Sequence, residues 1–275
     1  MNDLNEQLLF TTLDIVQDKN SSKCRKETAR QLNGFLSTMG SVRLELSSCL
    51  NKIWGNYELM VIPHPDGIGN LILSGAKDVL PFVEDREKFE AVLASYITGI
   101  RTVEGVIFES AYVQACCLIR QELEALTQMR HLMNGTSKDK KTPNIKVLEK
   151  HHKLIYSELT GVAHLSHHED LSSMAKGSCF AQDLLISPLQ FSFISEFNLS
   201  LSKNLFAIHY SVIIEVLLCL DEYFNKYIPT IELGPKSHQN LFDAHNKLVE
   251  LVPELEFPNK ANKSKHSDAA NCAGV

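Results

Sequence analysis

The feature that most constrains this chain is the spacing of its apolar residues, which return every three or four positions over most of its 275 residues. That period matches the α-helical turn and not the two-residue alternation of a strand. Leu205–Leu220 is the most apolar stretch, broken by His209 and Glu215. It is shorter than the roughly 20 residues a membrane-spanning helix needs, and it carries two ionisable groups. It therefore reads as a buried helix of a soluble core in which Glu215 must find a hydrogen-bond partner or water. The pattern predicts an all-α fold, a helical bundle.

Punctuating residues divide the pattern. Leu4 to Val16 is a first amphipathic helix, followed by a break at Asn20-Ser21-Ser22. Cys24 to Met60 is a long helix or two, with a kink or break expected at Gly34, Gly40 or Gly55, since an interior glycine costs about 1 kcal/mol against alanine. Pro63 to Asn70 is the strongest loop signal and separates an N-terminal helical arm (1–62) from the main bundle (63–257). Within the bundle, helices are expected from Pro81 to Arg101 and from Glu104 to Met133, the second ended by Asn134-Gly135. The next starts at Thr142-Pro143 and ends between Gly161 and Asp170. A short irregular or β-like segment is expected near 171–201. Helices follow at Ser202–Tyr227 and Asn240–Leu251, and 258–275 is expected to be a disordered tail.

Composition narrows the class. Hydrophobic residues make up 44% and charged residues 22%, as in an ordinary globular protein. A formal net charge of −6 argues against coating nucleic acid through the overall field. Met1–Glu6 lacks the basic and apolar regions of a secretory signal, and the seven cysteines form no Cys-x-x-Cys pair, so a reducing cytoplasm is the expected location. No phosphate loop, dinucleotide fingerprint or Gly-x-Ser-x-Gly elbow is present, so no cofactor is expected.

Five histidines crowd into 151–168. His164 and His168 are four apart, and Glu149-x-x-His152 has the step that di-iron bundles use. These four residues are the ligands a metal-dependent helical enzyme would use. The rest of such a set is missing, so the favoured reading places His152 on the apolar Leu148–Ile155 face and assigns no metal. Tyr156, Thr160 and His164 share one stripe that continues to His167 and His168. If that stripe faces Arg120, His164 is placed as a general base, because its ordinary pKa lies near neutrality. His164, Arg120 and Tyr156 are thus the candidate catalytic residues. Lys138, Lys140, Lys141, Lys146, Lys150 and Lys153 lead into this segment and read as a solvated basic face.

The segment Ala111-Tyr112-Val113-Gln114-Ala115 through Arg120-Gln121-Glu122-Leu123-Glu124, followed by Tyr156-Ser157-Glu158-Leu159-Thr160-x-x-x-His164, resembles bacterial helical proteins of the HEPN type, including abortive-infection relatives. The resemblance covers roughly residues 85–230. It implies a four-helix-like bundle, often dimeric, from a family in which some members cut RNA in phage defence or toxin systems. The short Arg-to-His spacing of the ribonuclease members is missing here, so the nuclease activity does not carry over on motif grounds. The expectation is a cytoplasmic helical interaction module whose partner is a protein or a second copy, with no membrane. The alternatives are a ribonuclease using His164 and Arg120, with RNA as its partner, and the metal-dependent enzyme above.

Overall fold

The computed structural model describes residues 2–55, 57–62, 70–75, 84–138, 141–168, 171, 174, 196–228 and 233–252. The fold is an all-α helical bundle. Its helices are α1 (Asn2–Gly55), α2 (Glu84–Phe108), α3 (Tyr112–Met133), α4 (Lys150–Ala163), α5 (Leu199–Tyr227) and α6 (Pro235–Leu251). Two strands, β1 (Tyr57–Ile62) and β2 (Asn70–Gly75), pair antiparallel with Tyr57 opposite Gly75 and Ile62 opposite Asn70.

The central helix is α5, buried as its apolar sequence demanded. Phe206, Val212, Ile213, Val216, Leu217 and Leu220 are fully buried, and α1, α2, α3 and α6 all pack on α5. Tyr112 pins its start: the Tyr112 hydroxyl accepts from the Asn198 backbone N–H at 2.6 Å and lies 3.0 Å from Ser202 Oγ. The Asn198 side chain accepts from Leu201 N–H and caps the helix. By length and composition α5 and Asp85–Phe108 of α2 could each cross a membrane, but the apolar window of α5 is 78% buried within the bundle, and that of α2 is 28% buried. In α5 that apolarity serves the core.

Several boundaries depart from the expected ones. The first helix is continuous through Asn20–Ser22, Gly34 and Gly40. The reason is packing: Cys24, Thr28, Leu32, Phe35, Met39, Val42, Leu46 and Cys49 are all buried, and this stripe keeps helical period from end to end. Burial along eight positions outweighs the roughly 1 kcal/mol penalty of each glycine. From Leu32 to Cys49 the expected arm therefore belongs to the same hydrophobic core as the rest of the bundle.

The division between the next two helices falls at Glu109–Ala111, not near Arg101. Ser110 takes a left-handed φ of 62°, and Ala111 N–H reaches back to the Val106 carbonyl at 2.9 Å. No glycine or proline marks this turn. Asn134 and Gly135, at φ 65°, end α3 as expected. Thr142-Pro143 does not open α4: Asn144 caps a single 3-10 turn at Ile145–Val147, and α4 begins at Lys150. The last helix starts earlier than expected, with Pro235 in its first turn. The Pro63–Asn70 signal falls between β1 and β2, and residues 63–69 lie outside the described residues. The segment expected near 171–201 lies largely outside the described residues, and so does the 258–275 tail.

Two substitutions test this packing. Leu217 is fully buried in α5, so Leu217→Ala should cost about 2–5 kcal/mol in urea melts. A Cβ at Gly34 would meet nothing within 4 Å, so Gly34→Ala should stabilise the protein by about 0.5–1 kcal/mol in the same measurement.

Candidate functional site

The structure brings two of the three candidate catalytic residues together. Arg120 and Glu124 stand one turn apart on α3 and pair at 3.0 Å. Tyr156 comes across from α4, donates to Glu124 Oε1 at 2.8 Å and accepts from Arg120 Nη2 at 3.4 Å. The guanidinium carbon lies 5.5 Å from the centre of the tyrosine ring. This triad is part-buried and joins α3 to α4 in antiparallel alignment.

His164 stands apart from it. It follows Tyr156 by eight residues, about 12 Å along a helix axis. It is the C-cap of α4, exposed, with its backbone N–H on the Thr160 carbonyl at 3.0 Å. Among the described residues none makes a hydrogen bond to its ring. The expected stripe through His167 and His168 does not exist as a helical face, because the helix ends at Ala163. Leu165 turns the chain with a left-handed φ of 55°, and Ser166 closes the turn with its N–H and hydroxyl on the Gly161 carbonyl at 2.9 and 3.0 Å. The His167 ring then lies across Gly161, where a Cβ would fall 2.2 Å from its Nε2.

The same turn separates the proposed metal ligands. Glu149 is the N-cap of α4, and His164 and His168 are exposed at its far end. His152 is fully buried, with Nε2 3.1 Å from Ser211 Oγ, and burial pushes its pKa well below the ordinary value. It is a neutral core histidine on the apolar face. Burial also lowers its neighbour His151, to about 4. Among the described residues no three His, Cys, Asp or Glu side chains converge closely enough to hold a metal ion. Two buried cysteines are disfavoured as nucleophiles: burial pushes Cys49 up to about 11 and Cys219 up to about 12.

Among the described residues, a further buried polar cluster is one the sequence pattern did not single out. His209, fully buried on α5, places Nδ1 2.8 Å from Glu122 Oε2 on α3 and Nε2 3.7 Å from Glu104 Oε1 on α2. Glu104 is also paired with Arg43 of α1 and accepts from the Tyr210 hydroxyl at 3.2 Å. Burial alone would lower the His209 pKa, but the two carboxylates outweigh it and push it up to about 9. Burial likewise opposes ionisation of Glu104, and the nearby His209 together with the paired Arg43 guanidinium still brings it down to about 2. At neutral pH Glu104 is therefore a carboxylate and His209 an imidazolium. A second buried pair, Arg130 with Glu215, supplies the partner that Glu215 needed, and Arg130 also donates to the Val147 carbonyl at 3.1 Å. The signal for the first cluster lay in the sequence: a histidine inside the most apolar helix requires a partner, just as Glu215 does.

No family model, curated protein or solved structure matches this chain. The site is therefore read from its own geometry.

The His209 cluster has a pH signature. A pKa raised from 6.5 to about 9 on folding contributes stability that is fully present below pH 6.5 and lost as pH rises through 9. Glu104, lowered from 4.5 to about 2, contributes stability present above 4.5 and lost towards pH 2. Urea melts from pH 6 to 10 should show stability falling across the alkaline limb, and His209→Gln should flatten that fall.

Proposed function

We propose that the chain is a helical interaction module of HEPN-like type, acting in the bacterial cytoplasm on a protein partner or a second copy of itself. The observation that carries this reading is where the reactive side chains are used. Arg120, Glu124 and Tyr156 bind one another and join α3 to α4. His209 and Glu122 bind one another inside the core, and Glu104 links them to the exposed Arg43 of α1. His164, the best general base by residue type, is at an exposed helix end away from both. A general base must come within hydrogen-bond reach of the proton it takes, together with its companions. A module working through its surface needs no such convergence. Leu154 and Leu165, 61% and 59% exposed on the outer side of α4 and just past its end, offer a partner apolar contact points. A role in defence or toxin control is the part of this proposal that rests on the family resemblance alone.

A ribonuclease is the second reading, favoured by one observation: Arg120 and Tyr156 meet at a place still open to solvent, with the Arg120 side chain 25% exposed. Incubating the purified protein with total RNA in chelator separates the two. The interaction reading expects intact RNA from the wild type, Arg120→Ala and Tyr156→Phe alike, with Arg120→Ala costing no more than about 1 kcal/mol of stability. Cleavage that Arg120→Ala abolishes while the protein stays folded would overturn it.

A further inference from the structure

We propose that two copies of this chain pair through the outer face of α2, antiparallel about a two-fold axis at Ala94, with Glu87 of each copy against the partner's Arg101. The long apolar window of α2 is only 28% buried, so the bundle uses one side of it. Phe89, Leu93, Ile100 and Ile107 form that side and are buried. Glu87, Ala91, Ala94, Thr98, Arg101 and Thr102 lie on the opposite side, and all six are exposed. A helix face that meets water ordinarily carries charge along its length. Here every exposed position between Glu87 and Arg101 is alanine, serine or threonine. A Cβ at Gly99 or Gly105 would meet nothing within 4 Å, so α2 is also uncrowded at its glycines.

The two charges select the occupant. Glu87 and Arg101 each stand seven residues from Ala94, about 10 Å along the helix axis to either side. Laid antiparallel on a second α2 and centred on Ala94, the face sets each Glu87 opposite the partner's Arg101, both pairs at once. That is the self-complementarity a two-fold contact between identical surfaces requires. The ion pairs fix direction and register. Affinity comes from the helices, whose small side chains let the axes approach to about 8 Å. One helix pair is a small contact, so the dissociation constant is expected on the order of 10 μM. A lipid surface fits less well. Helices that lie on membranes present Leu, Phe and Trp, whereas this face presents methyls, hydroxyls and two opposite charges. The proposal rests on the interaction-module reading and deepens it, naming a second copy as the partner and α2, not the outer side of α4, as the face.

The test is analytical ultracentrifugation of the full chain from about 1 to about 300 μM, comparing wild type, Glu87→Arg, Arg101→Glu and the double reversal. Wild type should pass from monomer to dimer across that range. Each single reversal makes both cross-pairs like-charged and should weaken the dimer at least about tenfold, and the double reversal should return it to within about threefold of wild type. Ala94→Glu should abolish pairing, because it sets two carboxylates on the axis. Both reversed positions are exposed, so the reversals remain decisive if Ala94→Glu does not fold. Four results would overturn the proposal: a wild type that stays monomeric, a dimer indifferent to the single reversals, a loss that the double reversal does not rescue, or flotation of wild type with phosphatidylcholine–phosphatidylserine vesicles that Ala94→Glu abolishes. A monomer that leaves RNA intact fails this proposal alone, and a dimer that cleaves RNA fails the module reading alone.

Discussion

An imidazolium inside an apolar helix has to be matched by carboxylates, and the bundle is arranged around that requirement. His209 is fully buried on α5, where losing water would ordinarily strip its proton. Glu122 from α3 and Glu104 from α2 reverse that preference, and Arg43 from α1 offsets the second carboxylate. Four helices thus meet at one charge-balanced point. Such a set adds little net stability over well-packed apolar residues, because desolvation consumes much of the attraction. It does, however, penalise misalignment. Along α3 and α5, the pairs Glu122–His209 and Arg130–Glu215 are separated by nearly the same number of residues, 87 and 85. The two helices therefore run parallel in one register, and a slip of one turn would strand both buried pairs together. Removing one member of a pair like this typically costs about 3–5 kcal/mol.

The functional reading follows from the same economy. Arginine, tyrosine, glutamate and histidine are the residues from which active sites are built, and here their contacts run between helices. The Arg120–Glu124–Tyr156 triad and the His209 cluster share helix α3, which also carries Arg130. That helix is the polar spine of the molecule as α5 is its apolar one. A spine of ion pairs between helices gives a rigid platform, and a rigid platform suits recognition, since little ordering cost is left for the encounter.

Much of this fold was legible in the sequence because helical periodicity is a local signal. The apolar run of α5 and the Asn134-Gly135 stop of α3 both follow from neighbouring residues alone. What was not legible depends on distant ones. The continuity of α1 through Gly34 and Gly40 comes from a stripe that packs on α5 and α6, which the local glycine penalty does not register. The turn at Ser110 uses a left-handed non-glycine residue, so nothing in the composition announces it. At the candidate site, the sequence offered the approach of the Tyr156–His164 stripe to Arg120 only as a condition; Tyr156 reaches Arg120, and His164 does not. A left-handed Leu165 ends the stripe one residue after it, and leucine carries no signal for such a turn. The His209 cluster joins residues from four separate segments, and a single sequence does not reveal which carboxylate reaches which histidine.

His209 is a cation at neutral pH, held between Glu122 and Glu104. The direct measurement is a titration of the His209 imidazole by NMR in the folded protein. The account predicts a ring that stays protonated through neutrality and loses its proton near pH 9. A His209 ring that titrates at or below its ordinary value of 6.5 would contradict it.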